Sequence, residues 1–120
     1  MKRYVTGRGA APGQKPLLEK DHYKIIREFM QSKGWLLLKI TGSIYQVGYP
    51  DVYAVHKDHG PRWIETKRPD SGKLSKEQIE VFTALTAHGA GVWIMETVDD
   101  YPNLFGKANW WRWCVKDFKL

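Results

Sequence analysis

Two short strand-like runs, Asp51 to His56 and Arg62 to Lys67, face each other across Lys57-Asp58-His59-Gly60. Their β-branched and aromatic residues suit a pleated, half-buried surface, and the intervening residues suit a turn, so the stretch reads as a β-hairpin. A hairpin fixes its own register through the length of its turn, and side chains alternate faces along each strand. Glu65 and Lys67, two residues apart, therefore point to one face. Asp51 joins them only if paired residue numbers sum to an even value. That requires a turn with an odd number of residues, or a bulge, and Gly60 is well placed to supply its left-handed residue.

The remaining segments frame the hairpin. Residues 1–15, with Lys2, Arg3, Arg8 and scattered Gly and Pro, read as a flexible basic arm, and residues 16–120 as one domain with a Trp-rich C-terminal segment. Apolar residues from Leu18 to Met30 recur at helical spacing, predicting a helix over Pro16 to Lys33, with Pro16 in its first turn and Gly34 as its stop. Trp35 to Ile40 reads as a buried strand, Thr41 to Gly48 as a loop, Ser75 to His88 as a second helix closed by Gly89, and Gly91 to Glu96 as a further strand. The segment Trp110-Trp-Arg-Trp-Cys-Val115 reads as an edge strand. The expected fold is α/β, with a mixed central sheet flanked by helices in the order αβββαβ.

Composition narrows the function. The chain has 120 residues, 42% of them hydrophobic and 27% charged, as in globular domains, and its formal net charge is +6. A basic balance favours a polyanionic partner such as nucleic acid. The single cysteine, Cys114, excludes an internal disulfide and a cysteine-rich zinc site, and His22, His56, His59 and His88 lack metal-ligand spacing. No apolar run is long enough to span a bilayer, and Met1-Lys2-Arg3 is not followed by an apolar signal segment. A cytoplasmic location without a membrane span is the expectation.

The chemistry concentrates on the hairpin. The carboxylates of Asp51 and Glu65 with the Thr66 backbone carbonyl form a hard oxygen set suited to Mg²⁺ or Mn²⁺, and Lys67 places a cation beside it. The plainer alternative is a solvated strand face carrying an ion pair, which contributes little to stability. Ser75-Lys-Glu-Gln78 matches a capping box, in which the glutamine bonds back to the helix cap. Lys73 and Lys76 flank that helix start, and Lys39 ends the first strand just before Thr41-Gly-Ser43. These lysines and the Gly-Ser backbone at Ser43 are candidate DNA contacts, against the ordinary solubilising role of surface lysines. The tryptophans near the C-terminus suit core packing, a dimer interface or stacking on bases.

The ordered set Gly48-Tyr-Pro-Asp51, Glu65-Thr-Lys67-Arg-Pro69 and Leu74-Ser-Lys-Glu-Gln78 resembles the VRR-NUC branch of the PD-(D/E)xK nucleases, over a stretch running from about Leu17 to Glu96. The resemblance implies a restriction-endonuclease-like αβββαβ core and a Mg²⁺- or Mn²⁺-dependent DNA endonuclease. Asp51 and Glu65 would be metal ligands, Lys67 the catalytic lysine, Glu19 a further acid reaching the metal from the first helix, and Gln78 a residue beside the active site. It also implies a phage or bacterial setting, a homodimer, and action on branched DNA such as a Holliday junction or flap in repair, recombination or phage replication. The alternatives are a restriction-type or nicking nuclease on the same fold, and a basic DNA-binding module that does not cut.

Overall fold

The computed structural model describes residues 18–69 and 73–118, with side chains given as far as residue 114. The basic arm at residues 1–15 and the helix start at Pro16 lie outside the described residues. The protein is mixed α/β. Its elements are α1 (Glu19–Ser32), β1 (Trp35–Lys39), β2 (Val52–His56), β3 (Gly60–Thr66), α2 (Lys76–Ala87), β4 (Val92–Met95), a 3-10 helix (Val98–Phe105) and α3 (Trp111–Phe118). The strands form one sheet in the order β1-β2-β3-β4, antiparallel from β1 to β3, with β4 parallel to β3.

The hairpin register satisfies the parity condition. Val52 pairs with Ile64, Tyr53 with Trp63, and His56 with Gly60. The turn between them is Lys57, Asp58 and His59, an odd number of residues, and Gly60 closes it at φ +78°. A side chain at that angle would push its Cβ against the following carbonyl, so glycine is the residue that holds this register without strain.

Strand alternation then sorts the core into two layers. One face of the sheet carries Trp35, Val52, Ala54, Ile64 and Met95, packed against Ile26 and Met30 of α1 and Leu104 of the 3-10 helix. The other carries Val92 and Ile94, packed against Phe82 of α2 and against Trp110 and Trp113 beside and within α3. Helices thus cover both faces. On the second face they sit over β3 and β4, while Leu36 and Leu38 of β1, whose partners are Val55 and Tyr53, remain exposed.

The C-terminal segment corrects the sequence expectation. It is not an edge strand: Trp111–Phe118 is helical, and β4 forms that edge of the sheet among the described residues. Alternation would have put Trp111 and Trp113 on one face, yet Trp111 is 52% exposed and Trp113 only 8%. The buried positions are Trp110 and Trp113, with Cys114 partly buried, which is spacing for one side of a helix. Trp110 donates its indole N–H to the Thr86 hydroxyl at 2.8 Å, tying this segment to α2. Two of the three C-terminal tryptophans are therefore occupied within the chain. No described helix is long and apolar enough to cross a membrane.

Candidate active site

The C-terminal end of β3 lies beside the residues that enter β2, and here the first turns of α1 and α2 approach from opposite faces of the sheet. Between them is a cleft of about 620 Å³ lined by Glu19, Lys39, Ser43, Asp51, Glu65, Thr66, Lys67 and Gln78, together with His22, Arg68 and the loop from Ile40 to Tyr49 except Ile44 and Tyr45. That volume is ordinary for a ligand-binding cleft. Of the residues singled out from the sequence, Lys73 and Lys76 do not line it. Both side chains are exposed, and Lys73 contributes only its backbone carbonyl, which accepts from Lys67 Nζ at 2.8 Å.

Glu65 is the centre of the network. It is 5% exposed, at the penultimate position of β3. Its Oε1 accepts from the Asp51 backbone N–H at 3.0 Å, and its Oε2 accepts from Gln78 Nε2 at 2.8 Å and lies 3.3 Å from Lys67 Nζ. Burial pushes its carboxyl up to about 7, and the neighbouring Asp51 charge adds to the rise, while Lys67 and Gln78 pull against it. Desolvation wins because one partly shared ammonium cannot replace the hydration of a buried carboxylate.

Asp51 reaches the cleft by a route that strand alternation does not describe. It stands one residue before β2, in a bend, and its carboxylate curls over the strand end. Oδ1 accepts from the Thr66 backbone N–H at 2.9 Å; Oδ2 accepts from the Thr66 hydroxyl at 2.6 Å and from Lys39 Nζ at 3.2 Å. Thr66 and Lys39 belong to the opposite face of the sheet from Glu65 and Lys67. The two carboxylates therefore meet across the end of the sheet rather than side by side on one face.

Gln78 fills both of its expected roles at once. Its backbone N–H donates to Ser75 Oγ and its side-chain Oε1 accepts from Ser75 N–H at 2.9 Å, completing the capping box. The same Oε1 accepts from Lys67 Nζ at 3.2 Å, and the amide nitrogen donates to Glu65. The start of α2 is thus locked to the carboxylate it faces, and the amide can satisfy all these partners in a single orientation.

No protein-family model matches the chain, and neither a curated protein nor a solved structure matches it significantly. The site has to be read from its own chemistry.

Tyr23, beside the cleft, and the Thr66 hydroxyl escaped the sequence reading, while His22 sits as expected. His22, on α1, lines the cleft and donates its Nε2–H to the Glu96 backbone carbonyl, pinning α1 to the end of β4. Tyr23 lies under Lys39, whose Nζ sits 4.2 Å from the ring centroid, and burial raises its phenol above the usual value. Thr66 contributes its hydroxyl, where the sequence pointed to its carbonyl. His22 is the buried, hydrogen-bonded histidine that its place on the apolar face of the helix predicts, and its spacing of three from Glu19 puts both on one side of α1.

The loop preceding β2 is held by Gly48. At φ +84° it lies against the Glu77 backbone of α2, and a Cβ there would run into the Glu77 carbonyl. Gly48→Ala is expected to cost at least about 2 kcal/mol, since it combines a left-handed backbone with a clash against a helix that cannot yield. Urea unfolding of the variant beside wild type checks this; an unchanged midpoint would mean the loop is not packed on α2.

Proposed function

We propose that this protein is a metal-dependent nuclease that hydrolyses phosphodiester bonds in DNA. The observation that carries the reading is a buried carboxylate, Glu65, gripped by Lys67 and Gln78 and facing a second carboxylate, Asp51, in an open cleft on a basic chain. A structural ion pair has no need of a second acid beside it, because the added charge only raises the cost of ionising the first.

The donor set fits a hard divalent cation in one respect and restricts it in another. Mg²⁺ binds through one or two carboxylates and retains several waters and substrate oxygens. Asp51 and Glu65 supply two carboxylates. Among the described residues no group of three His, Cys, Asp or Glu side chains stands close enough to hold a metal, and Glu19 lies on the cleft wall apart from this pair. Mg²⁺ or Mn²⁺ held by Asp51, Glu65 and the Thr66 carbonyl would polarise a phosphate and acidify a bound water. Lys67, held by the Lys73 carbonyl and Gln78, is placed to stabilise the negative charge that develops on the phosphate. The Glu65 carboxyl, raised to about 7 by burial, would give up its proton on holding the cation. Lys39 and Ser43 on the cleft wall would contact phosphates, and Lys73 and Lys76, exposed outside the cleft, would contact flanking DNA.

The order αβββαβ, with three antiparallel strands and a parallel fourth, supports reading the core as restriction-endonuclease-like. Branched DNA as substrate, a homodimer, and a cytoplasmic setting in a bacterial or phage-infected cell rest on the resemblance of the motifs. The exposed Leu36 and Leu38 offer a surface that a second subunit would cover.

A second reading, a DNA-binding module that does not cut, is favoured by one observation. Every carboxylate oxygen of Asp51 and Glu65 already accepts a hydrogen bond within the protein. Incubation with duplex, flap and four-way junction DNA in Mg²⁺, Mn²⁺ or EDTA separates the two. The nuclease cuts with metal and not with EDTA; binding to all three substrates without cutting in any metal would establish the module instead.

A further inference from the structure

The cleft has a rim that the proposed chemistry does not use. Four of the nine large hydrophobic side chains left exposed among the described residues, Ile44, Tyr45, Val47 and Tyr49, fall within six consecutive residues of the loop between β1 and β2. The two most exposed are Ile44 at 82% and Tyr45 at 84%. They are the central residues of a tight turn, in which Gln46 N–H donates to the Ser43 carbonyl at 3.0 Å and Tyr45 N–H to Ser43 Oγ at 3.2 Å. The central positions of tight turns favour Gly, Asn, Asp and Pro. Ile and Tyr are therefore not there for the turn, and they do not serve the core.

The turn is a built feature. Its base is secured by Tyr49 N–H to the Gln46 carbonyl at 3.2 Å, by the buried Pro50, and by Gly48 seated on α2. On either side of the tip, Ser43 and Gln46 line the cleft that holds Asp51, Glu65 and Lys67. The tip thus stands at the cleft mouth, beside a wall carrying Lys39, Lys67 and Arg68.

We propose that Ile44 and Tyr45 form a stacking edge that takes up an unpaired nucleotide base next to the phosphate bound in the cleft. This rests on the nuclease reading for the identity of that phosphate. A phosphodiester drawn to the lysine-bearing wall brings its own base within reach of the rim. An aromatic ring gains most from a base's π-face, and that face is free only where the nucleotide is unstacked, as in a single strand, a flap or an opened junction. Ile44 beside it supplies an apolar wedge of the kind that parts neighbouring bases. Fully paired DNA offers the tip only groove edges and backbone. The site would therefore choose its substrate by local unpairing, with no base-reading domain.

Fluorescence anisotropy in EDTA tests this without cutting. A labelled single strand, a splayed fork and a blunt duplex of equal length are titrated with wild type, Tyr45→Ala, Tyr45→Phe and Ile44→Ala. Both residues are exposed, so the variants should match wild type by circular dichroism. Tyr45→Ala should weaken binding to the single strand and fork by roughly 10-fold while changing duplex binding by less than about 2-fold, and Tyr45→Phe should retain wild-type affinity. A 2-aminopurine in the unpaired arm should be quenched by wild type and not by Tyr45→Ala. Equal loss on all three DNAs, no loss on any, or conversion of a dimer to a monomer by Tyr45→Ala in sedimentation would overturn the proposal. Tyr45-dependent binding with no cutting in any metal would remove the nuclease and leave the stacking edge standing. Cutting that is indifferent to Tyr45 would do the reverse, and a wild type that binds no DNA would overturn both.

Discussion

Lys67→Ala should lower the rate of phosphodiester cleavage by roughly 100- to 1,000-fold, the usual cost of removing one group that stabilises developing charge. The side chain is largely shielded from solvent, and its ammonium is fixed from two sides by the Lys73 carbonyl and Gln78 Oε1. Such an ammonium loses little mobility when charge appears on a phosphate, which is why it contributes more than a free surface lysine. Cleavage is followed on the best substrate with Mg²⁺, beside metal binding by calorimetry. Asp51→Asn is the necessary companion. An asparagine keeps one oxygen to accept from Thr66 N–H, so the join between β2 and β3 survives while the charge is lost. The nuclease reading expects both variants to be folded, Lys67→Ala to bind metal while cutting at that reduced rate, and Asp51→Asn to bind metal weakly and not cut. Cleavage surviving both substitutions, or surviving EDTA, would sink the mechanism.

The second large effect concerns pH. The Glu65 carboxyl, ordinarily near 4.5, stands at about 7 in the folded protein, so between those values the native state binds more protons than the unfolded chain. The sign follows: this group's contribution to stability is fully present below about 4.5, declines through the interval, and is lost as pH rises past about 7. The shift corresponds to about 3 kcal/mol. Urea unfolding in EDTA should therefore show lower stability at about pH 8 than at about pH 5, with Glu65→Gln flattening the difference. The slope is the diagnostic quantity, because a glutamine here sets its NH₂ against one of the donors that Glu65 now accepts from. Divalent metal competes with the same proton, so its affinity should rise with pH through about 7 and its binding should release protons. Metal affinity that is flat with pH would remove Glu65 from the ligand set.

Glu65, Lys67 and Gln78 were legible because local rules govern them. Strand alternation places the first two together, and the capping box orients the third from the start of α2. Asp51 was legible as a residue but not as a geometry. It lies outside β2, where alternation no longer binds it, and its carboxylate goes to Thr66 and Lys39 instead. The C-terminal helix was misread because Trp110-Trp-Arg-Trp is apolar at nearly every position, so period two and period 3.6 both fit a run that short. Only the presence of Phe82 and Ile94 as packing partners chose between them.

The amino-acid sequence alone determined the order of elements from α1 to β4, the capping box of α2, and the condition that the hairpin turn must be odd or bulged, which the three-residue turn closed by Gly60 meets. These depend on interactions between near neighbours, which a chain carries wherever it folds. The tertiary structure alone decided what surrounds Glu65. Burial under the starts of two helices from opposite faces, with Asp51 delivered over the strand end, turned a two-residue spacing into a carboxyl that titrates near neutrality. Desolvation is a property of everything that excludes water from a group, and its sources here are spread from Glu19 to Gln78, about half the length of the chain.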